Sequence, residues 1–539
     1  MKSSYPRSFI TTAMVALGLV ATLGACSTED SDGSSTAGAT APRKGGSLAF
    51  AVLSDPGCAD PQQVTSLDAG YWARQIVDSL TEQDPENGEI LPWLATAWET
   101  SADATAFTFT LRTDATFSDG SKVDAEAVKK NFDTLVDLGA RAATGVGYLR
   151  GYQGSDVLDD NRVRVRFEAP NAQFLQATST FQLGIVAPAS LARTADQRCA
   201  GVIASGPFVL ERYAEGEGVD LARRSGYAWA SQLWDNKGEA HLESARFRIV
   251  SESSVRTGGL QSGEFDAIAG VSAQDVTLLE SSGAALVVKT NGGIGFQLAA
   301  RNDAPIISDL AVRKALSLAI DRQQIASVNY VPGTKAATSI LSSATPAHED
   351  LGQQLRHAPQ EAQQVLDAAG WIAGSDGIRV KDGKRLVVRA VWTNGAVGNK
   401  TLLELVQQYA KAVGIDLTLV EQDQATFVES LGSGAFDVIL TTVTRADGDV
   451  LRSTFSSKLN NQFHVPATSL DATLDEQAAE PDPAKRAELL AAAQREIVDK
   501  LYGIPLVELT TAVGASVKLH GVSLDASSRL RLHDVWKDQ

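Results

Sequence analysis

Residues 385–420 read RLVVRAVWTNGAVGNKTLLELVQQYAKAVGIDLTLV, and the order of elements inside them decides the fold class. Residues 385–392 form a strand-like run, rich in Val and Leu and of the length a strand takes. Residues 402–413 form a helix that stops at Gly414, a residue type that ends helices because it enters the left-handed region without penalty. Residues 415–420 are strand-like again. Strand, helix and strand in succession predict a sheet covered by helices. The same signals recur on both sides. Residues 360–369 predict a helix closed by Gly370. Phe107-Thr-Phe109-Thr-Leu111 and Val163-Arg-Val165-Arg-Phe167 alternate with a period of two, as half-buried strands do. Between them Asp124 caps a helix with Val128, Phe132, Leu135 and Val136 on one stripe. Asp482 and Pro483 open a longer helix with Leu489, Ala493, Ile497 and Leu501 at a spacing of four. No internal repeat is present, and no low-complexity linker follows residue 43. The lobes are therefore expected to be built from interleaved segments rather than strung along the chain.

The N-terminus has a different character. Lys2 and Arg7 precede an uncharged, mostly apolar run over residues 9–23, and then comes Leu23-Gly24-Ala25-Cys26. That is the layout of an export signal, and the run is shorter than the roughly 18 residues a spanning helix needs. The small residues ending on cysteine resemble a bacterial lipobox, which implies cleavage before Cys26 and a diacylglyceryl thioether on its sulfur. An ordinary secretory signal with an incidental cysteine is the alternative. Residues 27–41 hold small and polar types with no bulky apolar residue, so residues 26–43 are expected to be a disordered tether. As a flexible coil the tether reaches about 20 Å. These features place the body on the outer face of a bacterial membrane.

Removing residues 1–25 takes away Lys2 and Arg7 and leaves 46 basic against 65 acidic residues. Such an acidic body argues against nucleic acid and against a polybasic membrane patch. A chain of 539 residues predicts more than one lobe. With Cys26 lipidated, Cys58 and Cys199 remain as an even pair in an oxidising compartment, where a disulfide is expected and two buried thiols are the alternative. The 6 histidines are scattered, no Cys-x-x-Cys occurs, and neither a metal nor a cofactor is expected. Phosphate loops, nucleophile elbows and zincin motifs are absent. The glycine-rich stretch 291–295 reads as a chain crossing or turn. Asp447 and Asp449 lie in Arg445-Ala-Asp-Gly-Asp, directly after the apolar run 436–440. Loops at strand ends of α/β folds are where ligands meet protein, but a solvated acidic turn is the competing reading.

Several segments together resemble the bacterial extracellular solute-binding proteins of family 5, the lipoproteins that feed peptide, opine and nickel ABC importers. Gly45-Gly46-Ser47-Leu48 resembles the family's opening strand. Residues 90–98, 107–112, Phe117-Ser-Asp-Gly120, Ser205-Gly206-Pro207-Phe208 and Gly263-Glu264-Phe265-Asp266 are similar to its later segments and follow its order. The most specific piece is residues 309–322, DLAVRKALSLAIDR, and Gly434-Ala-Phe436-Asp437 resembles a strand entry. The resemblance implies an α/β fold of the two-lobe periplasmic-binding-protein type, in its large cluster C form, with two hinge crossings near residues 292–296 and 503–510. It implies lobe I from residues 44–81, 199–291 and 511–539, an extra subdomain of lobe I over 82–198, and lobe II over 292–510.

A ligand is then implied between the lobes. Candidate contacts are Trp392, Thr393 and Asn394 after strand 385–391, Asp447 and Asp449 beside them, and Tyr71 and Trp72 in lobe I. For the aromatics, core packing is the alternative. In oligopeptide-binding members an Asp on this loop holds the peptide amine; ungapped, it falls here on Ala446, one residue before Asp447. The expected function is capture of a small polar solute, an oligopeptide or peptide-like molecule first, for the permease subunits of an ABC importer. The protein is expected to be a monomer that binds no nucleic acid and catalyses nothing. A sensory receptor of the same fold, or a binder of an opine, sugar conjugate or metal chelate, is the alternative. A surface-tethered hydrolase lacks a catalytic constellation in this sequence.

Overall fold

A computed structural model describes residues 41–393 and 399–538. The signal at 1–25, Cys26, the tether up to residue 40, and Asn394 lie outside the described residues. Residues 385–420 form strand Val387–Thr393, helix Asn399–Ala412 and strand Asp416–Gln422. The two strands pair in parallel from Val387 opposite Asp416 to Thr393 opposite Gln422. Leu402, Leu403, Val406 and Ala410 form the helix face that covers them, at the spacing one buried stripe requires. Gly414 has φ +92°, and the Ile415 N–H returns to the Ala410 carbonyl at 2.9 Å.

These strands belong to a five-stranded sheet in the order Asp416–Gln422, Val387–Thr393, Val438–Thr444, Gly293–Ala300, Gly503–Val507. Every residue of Gly293–Ala300 is buried, because this strand lies inside the sheet with helices over it. A seven-stranded sheet forms the other lobe, in the order Ala285–Thr290, Thr510–Ala515, Ala267–Ala269, Ser47–Val52, Ser244–Ile249, Gly218–Arg223, Phe208–Ala214. The chain passes between the sheets twice, from Thr290 to Gly293 and from Val507 to Thr510. The crossings are bonded to each other. Asn291 N–H donates to the Leu509 carbonyl at 2.8 Å, and Thr511 Oγ1 donates to Asn291 Oδ1 at 2.8 Å. Gly293 has φ +106°, and a Cβ there would stand 2.2 Å from the Val443 carbonyl oxygen. This is the physical content of the glycine-rich stretch expected to be a crossing.

A four-stranded antiparallel sheet, Ala95–Thr100, Ala106–Leu111, Arg162–Phe167, Tyr152–Asp159, forms the third body. Helix Ala125–Asp137 covers it, and Asp124 caps that helix on the Ala127 N–H. Phe107, Phe109, Phe132 and Phe167 surround Phe174 edge to face, a favoured aromatic arrangement. This core also takes in Tyr227, Trp229 and Trp234, beyond the segment 82–198. Their polar tips explain it: Tyr227 Oη and Trp229 Nε1 donate to Asp78, and Trp234 Nε1 donates to Glu82.

Cys58 and Cys199 form the expected disulfide across 141 residues. The stripe on helix Pro483–Lys500 is shifted from expectation. Leu490, Ala493, Gln494, Ile497 and Val498 are its buried face, while Leu489 is half-buried and Leu501 is the left-handed cap. A strict spacing of four overruns a helix of 3.6 residues per turn, and it passed over Gln494 because glutamine reads as polar. Gln494 is buried because Ser339, Ala347 and Glu349 satisfy its amide.

Candidate functional site

The three bodies meet at the carboxyl end of strand Val438–Thr444, on the loop 445–449. Parallel strands deliver their following loops to one edge of the sheet, which is where α/β folds form sites. The Arg445 guanidinium lies 4.7 Å from the Tyr148 ring centroid and donates to Gln173 Oε1 at 3.5 Å. Gln83 Nε2 donates to the Ala446 carbonyl at 3.1 Å, and Gln83 Oε1 accepts from Gln176 Nε2 at 3.0 Å. Ala172 N–H donates to the Ala478 carbonyl at 2.9 Å. Tyr148, Ala172, Gln173 and Gln176 belong to the third body, so these contacts close the cleft against the second lobe. Above them runs a groove of about 500 Å³, a volume suited to a small molecule. Trp98, Phe107 and Leu175 line one wall, and Pro346, Pro483 and Leu490 the other.

Asp447 and Asp449 are on this loop, and both are buried. The sequence offered them to a cationic ligand group; the structure gives Asp447 an internal cation. Arg486 donates to both Asp447 oxygens, at 2.8 and 2.6 Å, and the Asp449 N–H adds a third bond at 2.7 Å. Burial raises the Asp447 pKa, but Arg486 outweighs it and holds the group below the usual carboxylate range. Asp449 is pushed up by burial and then by the Asp447 charge, and it accepts from Gln477 Nε2 at 2.5 Å.

Trp392 is packed in the second-lobe core with its Nε1 buried and without a partner among the described residues. Thr393 is half-buried at the carboxyl end of its strand, level with Gln422. Tyr71 and Trp72 lie on helix Leu67–Ile76 in the first-lobe core, Tyr71 with its ring 5.2 Å from Phe50. The same helix positions a residue that the sequence did not single out. Gln75 Nε2 donates to the Leu530 carbonyl at 2.6 Å, and the Leu532 N–H donates back to Gln75 Oε1 at 3.1 Å. Asp525 Oδ1 accepts the Ser527 and Arg529 N–H groups and shapes the turn between strands Ser523–Leu524 and Leu530–Arg531. Arg529 then extends across Gly70, where a Cβ would stand 2.4 Å from Arg529 Cδ. A glycine inside a helical pattern is the sequence signal for that close approach. Burial lowers the Arg529 pKa, opposed first by Asp525 and then by Tyr71 and Tyr148.

Beside this turn is a second polar cluster. The Arg74 guanidinium lies 4.6 Å from the Trp93 ring and donates to Ser79 Oγ at 2.8 Å. Burial pushes both Asp78 and Glu82 up to about 7. Arg74, Glu82, Trp93, Trp234 and Arg531 line a cavity of about 10 Å³, room for one water. Among the described residues no three His, Cys, Asp or Glu side chains gather as metal ligands.

Residues 89–463 match the profile of the bacterial extracellular solute-binding proteins, family 5 Middle. The nickel-binding periplasmic protein of Escherichia coli strain K12 is 24% identical over 379 residues, covering 68% of this chain and 70% of its own. Protein XP55 of Streptomyces lividans is 26% identical over 476 residues, 85% of this chain and 82% of its own. The crystal structure of NikA from Brucella suis in complex with Fe(III)-EDTA superimposes with a TM-score of 0.81 at 23% identity, over 92% of this chain and 100% of that one.

Proposed function

The chain belongs to family 5 of the bacterial extracellular solute-binding proteins, and we propose that it captures a small polar solute between its lobes and delivers it to the permease of an ABC importer. An oligopeptide or peptide-like molecule is the first reading. The observation that carries it is the closed line of contacts from Arg445, Ala446 and Ala478 to Tyr148, Gln83 and Ala172, reached through two bonded crossings. Two crossings permit a bend while both lobes stay rigid. We read the protein as a binder and not an enzyme, because amides, guanidiniums and aromatic rings hold solutes without reacting with them. In this reading Thr393 stands at the second-lobe wall with Trp392 packed behind it, Asn394 is kept as a candidate outside the described residues, Tyr71 and Trp72 support the first-lobe side, and Asp447 and Asp449 fix the loop that presents Arg445. A metal chelate is the second reading, favoured by the likeness to a nickel-binding relative and to a chelate complex.

The body works as a monomer tethered through lipid on Cys26; the support is Leu23-Gly24-Ala25-Cys26 followed by a small-residue segment. Cys26→Ser is expected to release the protein from membranes or block its maturation, and unchanged detergent-extractable association rejects the anchor. A thermal-shift screen of peptides, opines, amino-sugar conjugates and metal chelates tests the function. A solute at 100 times its Kd adds about 2.7 kcal/mol. A flat response across the screen, with no solute co-purifying, rejects the reading.

A further inference from the structure

Eight arginines are buried among the described residues, and seven of them have partners. Arg74 and Arg224 donate to side-chain oxygens, with backbone carbonyls beside them, and Arg198 donates to Gln62 and pairs with Asp60. Arg256, Arg313, Arg322 and Arg379 each donate to backbone carbonyls. Arg529 is the exception. It is 6% exposed, none of its three guanidinium nitrogens has a hydrogen-bond partner among the described residues, and its Nε and Nη1 are fully buried. No carboxylate among the described residues stands within 4.0 Å of it, and the Phe181 ring centroid is 5.7 Å from Cζ. Guanidinium does not shed its proton in proteins, so this is a buried cation with no counter-charge bonded to it among the described residues, and Asp525 acts on it only from a distance.

The surroundings are built to keep it there. Gly70 is small so that the stem can pass, Gln75 pins Leu530 and Leu532 on the following strand, and Asp525 fixes the turn before it. Arg445 of the second lobe covers Tyr148, which lies within electrostatic reach of Arg529. The one hydrogen bond of the Arg445 guanidinium among the described residues, to Gln173, is long at 3.5 Å. We propose that Arg529, seconded by Arg445 from the other lobe, is the recognition point for a carboxylate on the bound solute. The planar guanidinium fork matches a carboxylate in two parallel bonds, and such bonds are about twice as strong as neutral ones. A carboxylate held by both arginines bridges the lobes, so recognition and closure become one event. This inference rests on the solute-binding reading and names the chemical class of solute.

The test is calorimetric titration of the wild-type protein with trialanine, glutathione and citrate, beside the carboxamides of the first two and a phosphate monoester, followed by the same titrations of Arg529→Met and Arg529→Lys. The acids are expected to bind and the amides to lose at least about a hundredfold, the range expected when one buried partner is removed. Arg529→Met is expected to lose the acids by a similar factor while its solute-free form melts at or above the wild-type temperature, because an unpaired buried charge has been removed. Arg529→Lys is expected to fall between the two. Equal binding of acid and amide overturns the proposal, and that comparison needs no variant. Unchanged affinity in Arg529→Met, binding confined to the phosphate monoester, or a large drop in solute-free melting temperature also overturns it. If nothing in the panel binds, the carboxylate proposal falls. The solute-binding reading falls with it only if native mass spectrometry of protein isolated from its own membrane finds no co-purifying small molecule.

Discussion

Asp447 illustrates how a short motif locates a loop without naming the partner that its side chain takes. The local sequence, two acids after an apolar strand, locates a loop at the cleft but says nothing of Arg486, which arrives 39 residues later on a helix. Once paired, Asp447 is a fixed part of the loop. Arg486→Met is expected to destabilise the protein by about 3–5 kcal/mol, because it leaves a buried carboxylate without its cation. The double variant Asp447→Asn/Arg486→Met should recover much of that loss, since the isolated charge is gone. Denaturant midpoints of both singles and the double measure the coupling; additive losses would mean that the pair does not act as a unit. Arg529 was illegible for the opposite reason. Ser527-Ser528-Arg529-Leu530 reads as a polar surface turn near the chain end, and its burial comes from helix Leu67–Ile76, more than 450 residues earlier. Periodicity reports a residue's own element, not the element that will cover it.

At the scale of elements the sequence was much more informative, because strand alternation, caps and closing glycines are local properties. Residues 107–111, 163–167 and 385–420 gave their strands and helices directly, with Asp124 and Asp482 capping as expected. What joins the elements was less legible. The segment that leads from residue 198 back to the first lobe also contributes Tyr227, Trp229 and Trp234 to the third body, through bonds to Asp78 and Glu82. Those acids make the junction sensitive to pH. Their folded pKa values of about 7 lie above the unfolded values of 3.8 and 4.5, so the folded state holds the extra protons between those limits. Their contribution to stability is therefore full at low pH, declines as pH rises through about 7, and is flat beyond. Relative to wild type, Asp78→Asn should gain stability from pH 5 to about pH 7 in thermal melts and level off above it. Parallel curves would remove Asp78 as a source of the slope. The disulfide fixes another junction, between the segment after strand Ser47–Val52 and the helix Ala195–Cys199. In the chain-entropy model a loop of this size contributes at most about 5 kcal/mol. Cys58→Ser/Cys199→Ser should lower the denaturant midpoint accordingly, and a reductant should reproduce the loss in wild type but not in the variant.

The whole molecule is held closed by few contacts. Across the cleft run two backbone-directed bonds, from Gln83 to Ala446 and from Ala172 to Ala478, with the Arg445–Tyr148 contact between them. Each hydrogen bond has a net worth of about 1 kcal/mol. Against this, closing seats the half-buried Arg445 over Tyr148, a ring that Arg529 also reaches electrostatically, and so brings two cations to the same side of the cleft. The solute-free protein should therefore favour an open form. A carboxylate reverses the balance because it contacts both lobes only when they are closed, and a ligand shifts an equilibrium by its differential affinity for the two states. Small-angle scattering on the wild type should show a smaller radius of gyration once a solute identified by the thermal screen is saturating. Arg445→Ala should bind that solute more weakly and compact less at equal occupancy, since the second-lobe half of the bridge is missing. Without solute, Arg529→Met should show a radius at or below that of the wild type, because one of the two cations that oppose closing is gone. Tight binding without compaction in the wild type would reject closure by hinge bending, whatever the identity of the solute.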